Sequence, residues 1–504
     1  MCTITISRWN GTFCKVLSSV LIYLFTTNYL SKRFYVEIGG AMGKTITIDP
    51  VTRISGFLEI KAEVEGNTIA KANASGLLFR GFEKMLKGRP PLDAIYFTER
   101  ICGICSAAHS MASTLALEDA LKVTVTLNDN YIRDIIHGFE FVQNHLRHFY
   151  LLSMPSYAKI SSIKLIEEQQ YTDYRLPDKI NKKIEDDYVS SIELSRLAHE
   201  GLALLGGKAP HNHGIFVGGV TVNIDAYKLE KVKSIIKNIT SFVTTKMKDD
   251  VEIIAKYYPD YFKKGESYPY FMTFGVFDKY EDPEITYVKS GVMKDRIKYN
   301  LEPDKITEQI HYSWYKKDEG LEEVYLSKLD GYTFVKAPRY LGLPMEVGPL
   351  ARLIVSGEYT NGHSSMDRNI ARVLETEKIL GIMEKIAERI ELKPNNQKVY
   401  DIPEKGYGVG LTDTTRGALG HWISIDKNVI DHYNIITPTV WNLSPKDAAN
   451  LPGTIERALI GTRLNNIKEP IEIGRIVRSF DPCVSCATHL IGAAGDTEIV
   501  EVLV

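Results

Sequence analysis

Two cysteine pairs, each with a two-residue spacer, constrain this chain more than anything else in it. Cys102 and Cys105 stand in Arg100-Ile101-Cys102-Gly103-Ile104-Cys105, and Cys483 and Cys486 in Asp481-Pro482-Cys483-Val484-Ser485-Cys486-Ala487-Thr488-His489. A fold that uses all four must bring opposite ends of its main body to one point. The short spacer lets both sulfurs of a pair face one ion, and a nearby cation or helix N-terminus favours the thiolate that binds it. A structural zinc site is the plainest alternative, but zinc modules keep their pairs roughly 10 to 25 residues apart. The other two cysteines, Cys2 and Cys14, lie near the N-terminus, and six on 504 residues make no secreted disulfide framework.

With 44% hydrophobic and 25% charged residues the chain has the make-up of an ordinary globular protein with a large core, as one big folding unit with an insertion or as two layers. A formal charge of −2 and the lack of a long Lys/Arg tract leave no electrostatic footprint for nucleic acid.

Apolar alternation through Ile46, Ile48, Leu58, Ile60, Ala62 and Val64, with a turn at Gly66-Asn67, predicts a β-hairpin or small meander over 44–75. Pro90-Pro91 breaks the next segment, and the first cysteine motif follows on an irregular stretch that opens a helix near Ser106. Helical spacing predicts a central core helix over 128–152 through Ile132, Ile135, Ile136, Phe139, Val142, Leu146 and Phe149. Further helices are expected over 178–205, closed by Gly206-Gly207, over 225–258, and over 365–392 through Ile370, Val373, Ile379, Ile382, Ile386 and Ile390. Residues 261–334 are aromatic, charged and aperiodic, and are expected as strands and loops peripheral to the site. The fold class is therefore α+β and helix-rich, a bundle of long helices with small peripheral sheets.

The residues around the cysteines carry a resemblance. Arg-x-Cys-Gly-x-Cys-x-x-x-His and Asp-Pro-Cys-x-x-Cys-x-x-His are similar to the two signatures of the large subunit of nickel-iron hydrogenases. Asp49-Pro50-Val51-Thr52-Arg53-Ile54, Phe79-Arg80-Gly81-Phe82-Glu83, Met345-Glu346-Val347-Gly348-Pro349-Leu350-Ala351-Arg352 and Arg416-Gly417-Ala418-Leu419-Gly420-His421-Trp422 agree in order, from about Gly43 to His489. The resemblance implies a nickel-iron centre with carbon monoxide and cyanide on the iron, at which dihydrogen is cleaved heterolytically. It places Cys102 and Cys483 on nickel alone and Cys105 and Cys486 as bridges to iron. Soft thiolates suit such metals. It further implies magnesium at Glu83 and His489, Arg416 over the metals with Asp481 holding it, and His109 near a bridging sulfur. His211 and His213 read as structural.

Two positions depart from the family pattern. Ser55, in Arg53-Ile54-Ser55-Gly56, stands where most relatives carry the glutamate that first accepts the proton; a serine relays a proton but cannot store one. Asn144 stands where many have an aspartate near the arginine. The serine-containing motif resembles a subgroup linked to heterodisulfide-reductase-like membrane subunits, which implies a respiratory uptake enzyme, membrane-associated through its partners. A quinone-site subunit of respiratory complex I shares the fold but has lost the metal-binding cysteines, all four of which are present here. With four cysteines assigned, the chain cannot ligate an iron-sulfur cluster in the usual way, so an iron-sulfur small subunit is the expected partner.

Both ends stand outside the resemblance. Val16 to Leu30 is apolar and uncharged, shorter than the roughly 20 residues of a membrane helix, and lacks a twin-arginine pair or a cleavage pattern. Residues 1–41 are expected to be a leader or a start placed too early, with Met42 the true first residue, and 42–489 the subunit itself. Leu490 to Val504 is expected to be a peptide removed on maturation by an endopeptidase after metallochaperones load the site.

Overall fold

The computed structural model describes residues 34–37, 44–162, 171–318, 321–394 and 398–487. His489, the expected cleavage point after it and nearly all of the expected leader lie outside the described residues.

The chain opens with a four-stranded antiparallel meander: β1 (Phe34–Glu37), β2 (Lys44–Ile48), β3 (Leu58–Glu65) and β4 (Thr68–Gly76), in sequence order. Its alternation has the predicted cause, since Ile46, Leu58, Ile60, Ala62, Val64, Ile69, Ala72 and Ala74 are buried on one face. β1 belongs to the stretch set apart as leader, yet it pairs with β2 from Phe34 opposite Ile48 to Glu37 opposite Thr45.

The long helices follow. α1 (Ser106–Leu121) comes directly after the first cysteine pair, α2 is Leu127–Arg147, α3 Asp178–Gly206, α4 Ala226–Phe242, α5 Lys248–Tyr257 and α6 Ser365–Arg389. Thr126 caps α2 through a reciprocal pair with Asp129, and Ser364 caps α6 likewise with Asp367. Residues 225–258 form one run of helix as predicted, with a π turn at Val243–Met247 joining α4 to α5. Ile135, Ile136, Phe139, Val142, Leu202, Leu205, Ile235, Ile239, Ile379 and Met383 interdigitate in the main core.

A second antiparallel meander, β5 (Lys405–Thr414), β6 (Gly417–Asp426) and β7 (Val429–Ile436), packs on α1. Here two glycines matter. A Cβ at Gly408 would stand 2.1 Å from the Ala116 carbonyl oxygen, and one at Gly410 2.0 Å from that of Ala112. Ala112, Ala116 and Ala120 on α1 meet these glycines, so helix and strand approach backbone to backbone. That seat fixes the helix on which the first cysteine pair rides.

The chain end returns to its beginning. α7 (Ile471–Ser479) precedes the second cysteine pair, and the backbone there bridges to the loop before β3: Val484 N donates to Ser55 O at 2.7 Å and Ser55 N to Pro482 O at 3.4 Å. Among the described residues no helix is long and apolar enough to cross a membrane.

Candidate metal centre

The four cysteines, predicted to converge, do so. Cys102 Sγ lies 3.5 Å from Cys483 Sγ, Cys105 Sγ 3.5 Å from Cys486 Sγ, and Cys483 Sγ 2.9 Å from Cys486 Sγ. All four are buried, and the sulfurs of Cys102, Cys105 and Cys486 lie within 4.8 Å of one another. Four thiols this close cannot all ionise on their own. Hydrogen bonds from Cys102 and then Cys486 pull the Cys105 thiol down to about 6, while the bond with Cys102 pushes Cys483 up to about 11 and burial raises Cys486. A soft dication would remove that conflict, because coordination deprotonates each thiol outright. The donor set therefore fits nickel and iron.

Each loop is held from outside. Arg80, in a segment the resemblance includes but to which the sequence gives no role, donates through Nη2 to the carbonyls of both Ile101 and Ser485 and through Nη1 to that of Arg100. One guanidinium thus ties the two cysteine loops together. Thr439 Oγ1 accepts from Cys483 N at 3.0 Å, and Thr437 Oγ1 donates to Cys486 O at 2.9 Å.

Arg416 sits on the turn between β5 and β6, fully buried. Its Nε donates to Asp481 O at 2.9 Å, and its Nη2 lies 3.0 Å from Asn144 Oδ1 and 3.2 Å from Asp481 Oδ1. Its Nη1 is buried without a hydrogen-bond partner. Burial works against the charge, but Asp481 and the thiolates of Cys483, Cys105 and Cys102 outweigh it. Asp481 therefore holds Arg416 as expected, and Asn144 joins them: its Nδ2 donates to Asp481 Oδ2 at 2.9 Å. Burial would raise the Asp481 carboxyl, yet Arg416, with His148, Arg372 and Asn144, keeps it well below the usual carboxylate range.

Behind this pair runs a buried network with no warning in the sequence beyond charged residues inside a helical period. Arg372 Nη1 reaches Asp481 Oδ2 at 3.3 Å and His145 Nδ1 at 3.0 Å; His145 Nε2 meets Glu375 Oε2 at 2.8 Å. Arg352 grips Glu375 through two bonds of 2.6 and 2.7 Å and reaches Asp413 at 2.8 Å. It also donates to Thr414 O at 2.9 Å, and so to the turn that carries Arg416. Gly348 explains the rest of its motif: at φ +127°, a Cβ there would stand 3.0 Å from the Arg416 carbonyl oxygen. Buried charges persist only when paired in this way.

Other expected residues are placed as follows. Ser55 is half-buried and bridged by backbone to Cys483. His109 is buried, its Nδ1 3.2 Å from His421 Nε2, which continues to the Tyr433 hydroxyl at 2.9 Å from His421 Nδ1. Burial lowers its pKa to about 3, so the ring is neutral. Glu83 Oε1 accepts from Ile435 N at 2.9 Å, and its Oε2 lies 3.8 Å from Lys336 Nζ, which also faces Glu308 at 3.6 Å. Glu308, Tyr315 and Phe334 line the small cavity at Glu83. The segment 261–334, expected to be peripheral, thus supplies one wall of this site, because its aromatic residues fold over the Phe79–Glu83 segment.

A family model described as nickel-dependent hydrogenase matches residues 80–174, 166–363 and 356–489. The chain belongs to this family. The large subunit of the periplasmic [NiFeSe] hydrogenase of Desulfomicrobium baculatum is 32% identical, over 91% of this chain and 97% of that one. The hydrogenase-2 large chain of Escherichia coli K12 is 30% identical, over 92% of this chain and all of the other. The Ni-Fe-Se hydrogenase of D. vulgaris Hildenborough in its reduced state superposes with a TM-score of 0.84 at 34% identity, covering 88% of this chain and 99% of that one. The chain is thus a hydrogenase large subunit with the helix-rich hydrogenase fold, an oxidoreductase acting on dihydrogen, and the complex I-like and structural-zinc readings fall away.

Proposed function

We propose that the four sulfurs would hold a nickel-iron centre, Cys102 and Cys483 serving nickel alone and Cys105 and Cys486 shared with an iron that would carry carbon monoxide and cyanide. The observation that carries this reading is the convergence of four buried sulfurs beside a buried guanidinium that keeps one donor free. When bound, the metals would supply an electron-rich centre able to polarise and split dihydrogen. The chain's own residues do the rest. Arg416, clamped by Asp481 and Asn144, presents fixed positive charge where charge develops, which costs no reorganisation during reaction. Asp481 stays ionised at any working pH and holds that arginine in register.

Magnesium at Glu83 and His489 is supported by the oxygen donors gathered there: the carboxylates of Glu83 and Glu308 line one small cavity, and carboxylate oxygens are what a hard cation takes. Electrons pass to an iron-sulfur small subunit, because only Cys2 and Cys14 remain for clusters in this chain. A respiratory, membrane-associated complex and removal of Leu490 to Val504 by an endopeptidase after metallochaperone loading complete the reading; cleavage lets the new terminus close the site, so that metal binding becomes folding energy. Metal analysis of the purified complex tests the centre: nickel is expected together with iron in excess of it, because the clusters of the small subunit add their own iron, and zinc alone would refute it. Intact mass tests maturation, since active enzyme that still carries Leu490 to Val504 would refute cleavage.

A further inference from the structure

Of the segment Arg416 to Trp422 the site has used only Arg416, yet His421 also stands at a fixed place beside it. β6 and β7 pair antiparallel with His421 opposite Ile435 and Ile423 opposite Tyr433, so His421 and Tyr433 are diagonal neighbours on one face of the sheet. Both are buried. α1 covers that face and brings to it His109, one turn after Cys105, with His109 N donating to Cys105 O at 3.2 Å. His109 Nδ1 lies 3.2 Å from His421 Nε2, and His421 Nδ1 lies 2.9 Å from the Tyr433 hydroxyl. The seat of α1 on Gly408 and Gly410 sets this spacing.

Each of these contacts needs one donor and one acceptor, and the phenol decides which is which. The Tyr433 hydroxyl has no other hydrogen-bond partner among the described residues. Its hydrogen therefore goes to His421 Nδ1, because the opposite direction would leave a buried O–H unsatisfied. That also excludes an imidazolium at 421, which would donate at both nitrogens. A neutral imidazole that accepts at Nδ1 donates at Nε2, so His421 Nε2–H donates to His109 Nδ1. By the same rule the hydrogen of the neutral His109 ring sits on Nε2, at the opposite edge. Of the charges acting on that ring, the one of Cys483 is the largest and that of Arg80 the next.

We infer that Tyr433 and His421 are positioning residues that fix the ring plane and the tautomer of His109, so that its Nε2–H is a permanent donor towards the thiolates. This deepens the nickel-iron reading above and rests on it. All three groups are neutral, and each hydrogen keeps one place. The chain of bonds ends in the core at Tyr433, so it braces the site and gives protons no exit. A thiolate that accepts a hydrogen bond gives up electron density, which favours the reduced form of the metal it holds and raises its potential. The brace therefore acts on the potential of the centre through His109.

The test uses the mature complex and reads nickel content, the nickel midpoint potential and turnover. Tyr433→Phe removes one oxygen, and His421→Leu removes the donor to His109. Both should keep nickel, lower its midpoint potential and slow turnover about tenfold, the usual cost of losing a partner that orients a metal-site group. His421→Gln places an amide N–H where Nε2 stands and should bring the potential back to native. In that background Tyr433→Phe should change nothing further, because an amide N–H does not depend on the phenol. Tyr433→Phe and His421→Gln stay decisive even where His421→Leu fails to fold. A native potential in Tyr433→Phe, a drop in His421→Gln as deep as in His421→Leu, or an equal drop from Tyr433→Phe in both backgrounds would overturn the inference. A native complex without nickel would instead bring down the nickel-iron reading, and the brace with it.

Discussion

The two cysteine pairs meet at one point but are held in opposite ways. The second pair lies on a short turn, Val484–Cys486, fixed by the backbone bridge to Ser55, by Thr437 and Thr439, and by permanently charged Asp481 and Arg416. The first pair lies at the head of α1, an alanine-rich helix pressed on glycines of β5. It is flanked by two buried carboxyls that titrate near neutrality, Glu140 on the N–H groups of Ala107 and Ala108 and Glu99 just before the cysteine loop. One side of the cluster therefore carries fixed charge and the other movable charge. Fixed charge stabilises a transition state without reorganising, whereas a carboxyl near its pKa changes state with pH.

The sharpest way to break this arrangement is to unseat α1. Gly410→Val would drive a side chain into the Ala112 carbonyl, 2.0 Å from the ideal Cβ, where backbone cannot yield. Loss of the folded, nickel-bearing chain is expected, with the first cysteine pair no longer opposite the second. Nickel at the native stoichiometry in this variant would show that the close seat of α1 is not what places the pair.

Arg416→Lys attacks the fixed side. Lysine keeps the charge but cannot bond the Asp481 carbonyl, the Asp481 carboxylate and Asn144 at once. With the metals still bound, turnover should fall about a hundredfold, the usual cost of removing one preorganised donor. Native turnover with full metal content would mean that charge alone, without the planar fork, suffices.

How far the sequence revealed this contrast depends on the residue. Cysteines, Arg416 and Asp481 sit in motifs whose spacing was legible, and the main helices follow a 3.6-residue period of apolar side chains, so their places were readable. Glu140 and Glu99 were not, because a single glutamate inside a helical pattern looks like a solvated surface residue until tertiary packing buries it. Arg80 had a motif but no visible purpose, since its partners are backbone carbonyls of two loops from opposite ends of the chain. Arg372, Glu375 and Arg352 had only a hint: charges at helical spacing on the buried side of α6 and in the Met345–Arg352 segment. The strand β1 went unpredicted because nothing in residues 34–37 singles them out from the apolar stretch before them.

Asn144→Asp would make the fixed side more like the pattern of many relatives, but not without cost here. Asn144 both accepts from Arg416 and donates to Asp481. An aspartate keeps the first contact and turns the second into two carboxylates face to face, so that one of them must hold a proton or the pair must separate. Turnover is expected to fall about tenfold, the range for a residue that orients a metal-site group. Unchanged or faster turnover would show that a second counter-charge helps Arg416 more than the lost donor hurts Asp481.

The gentlest test reads the movable side through stability alone. Burial raises the Glu99 carboxyl from 4.5 to about 8 in the folded chain, against the lowering influence of Arg100, Ser110 and Lys208. A carboxyl raised on folding contributes stability that is fully present below its unfolded value and is lost as pH rises towards the folded one. Between pH 4.5 and 8 the unfolded chain gives up this proton while the folded chain keeps it, so native stability declines across that window. Glutamine at 99 cannot ionise, and its carbonyl can still accept from Asn212. The thermal midpoint of Glu99→Gln should therefore gain on the native protein steadily from about pH 5 to pH 8. Above the folded value the difference should level off. Other buried acids, Glu140 among them, act equally on both proteins and cancel in the comparison. Parallel curves across this window would mean that Glu99 is ionised throughout, and the two sides of the cluster would then both carry fixed charge.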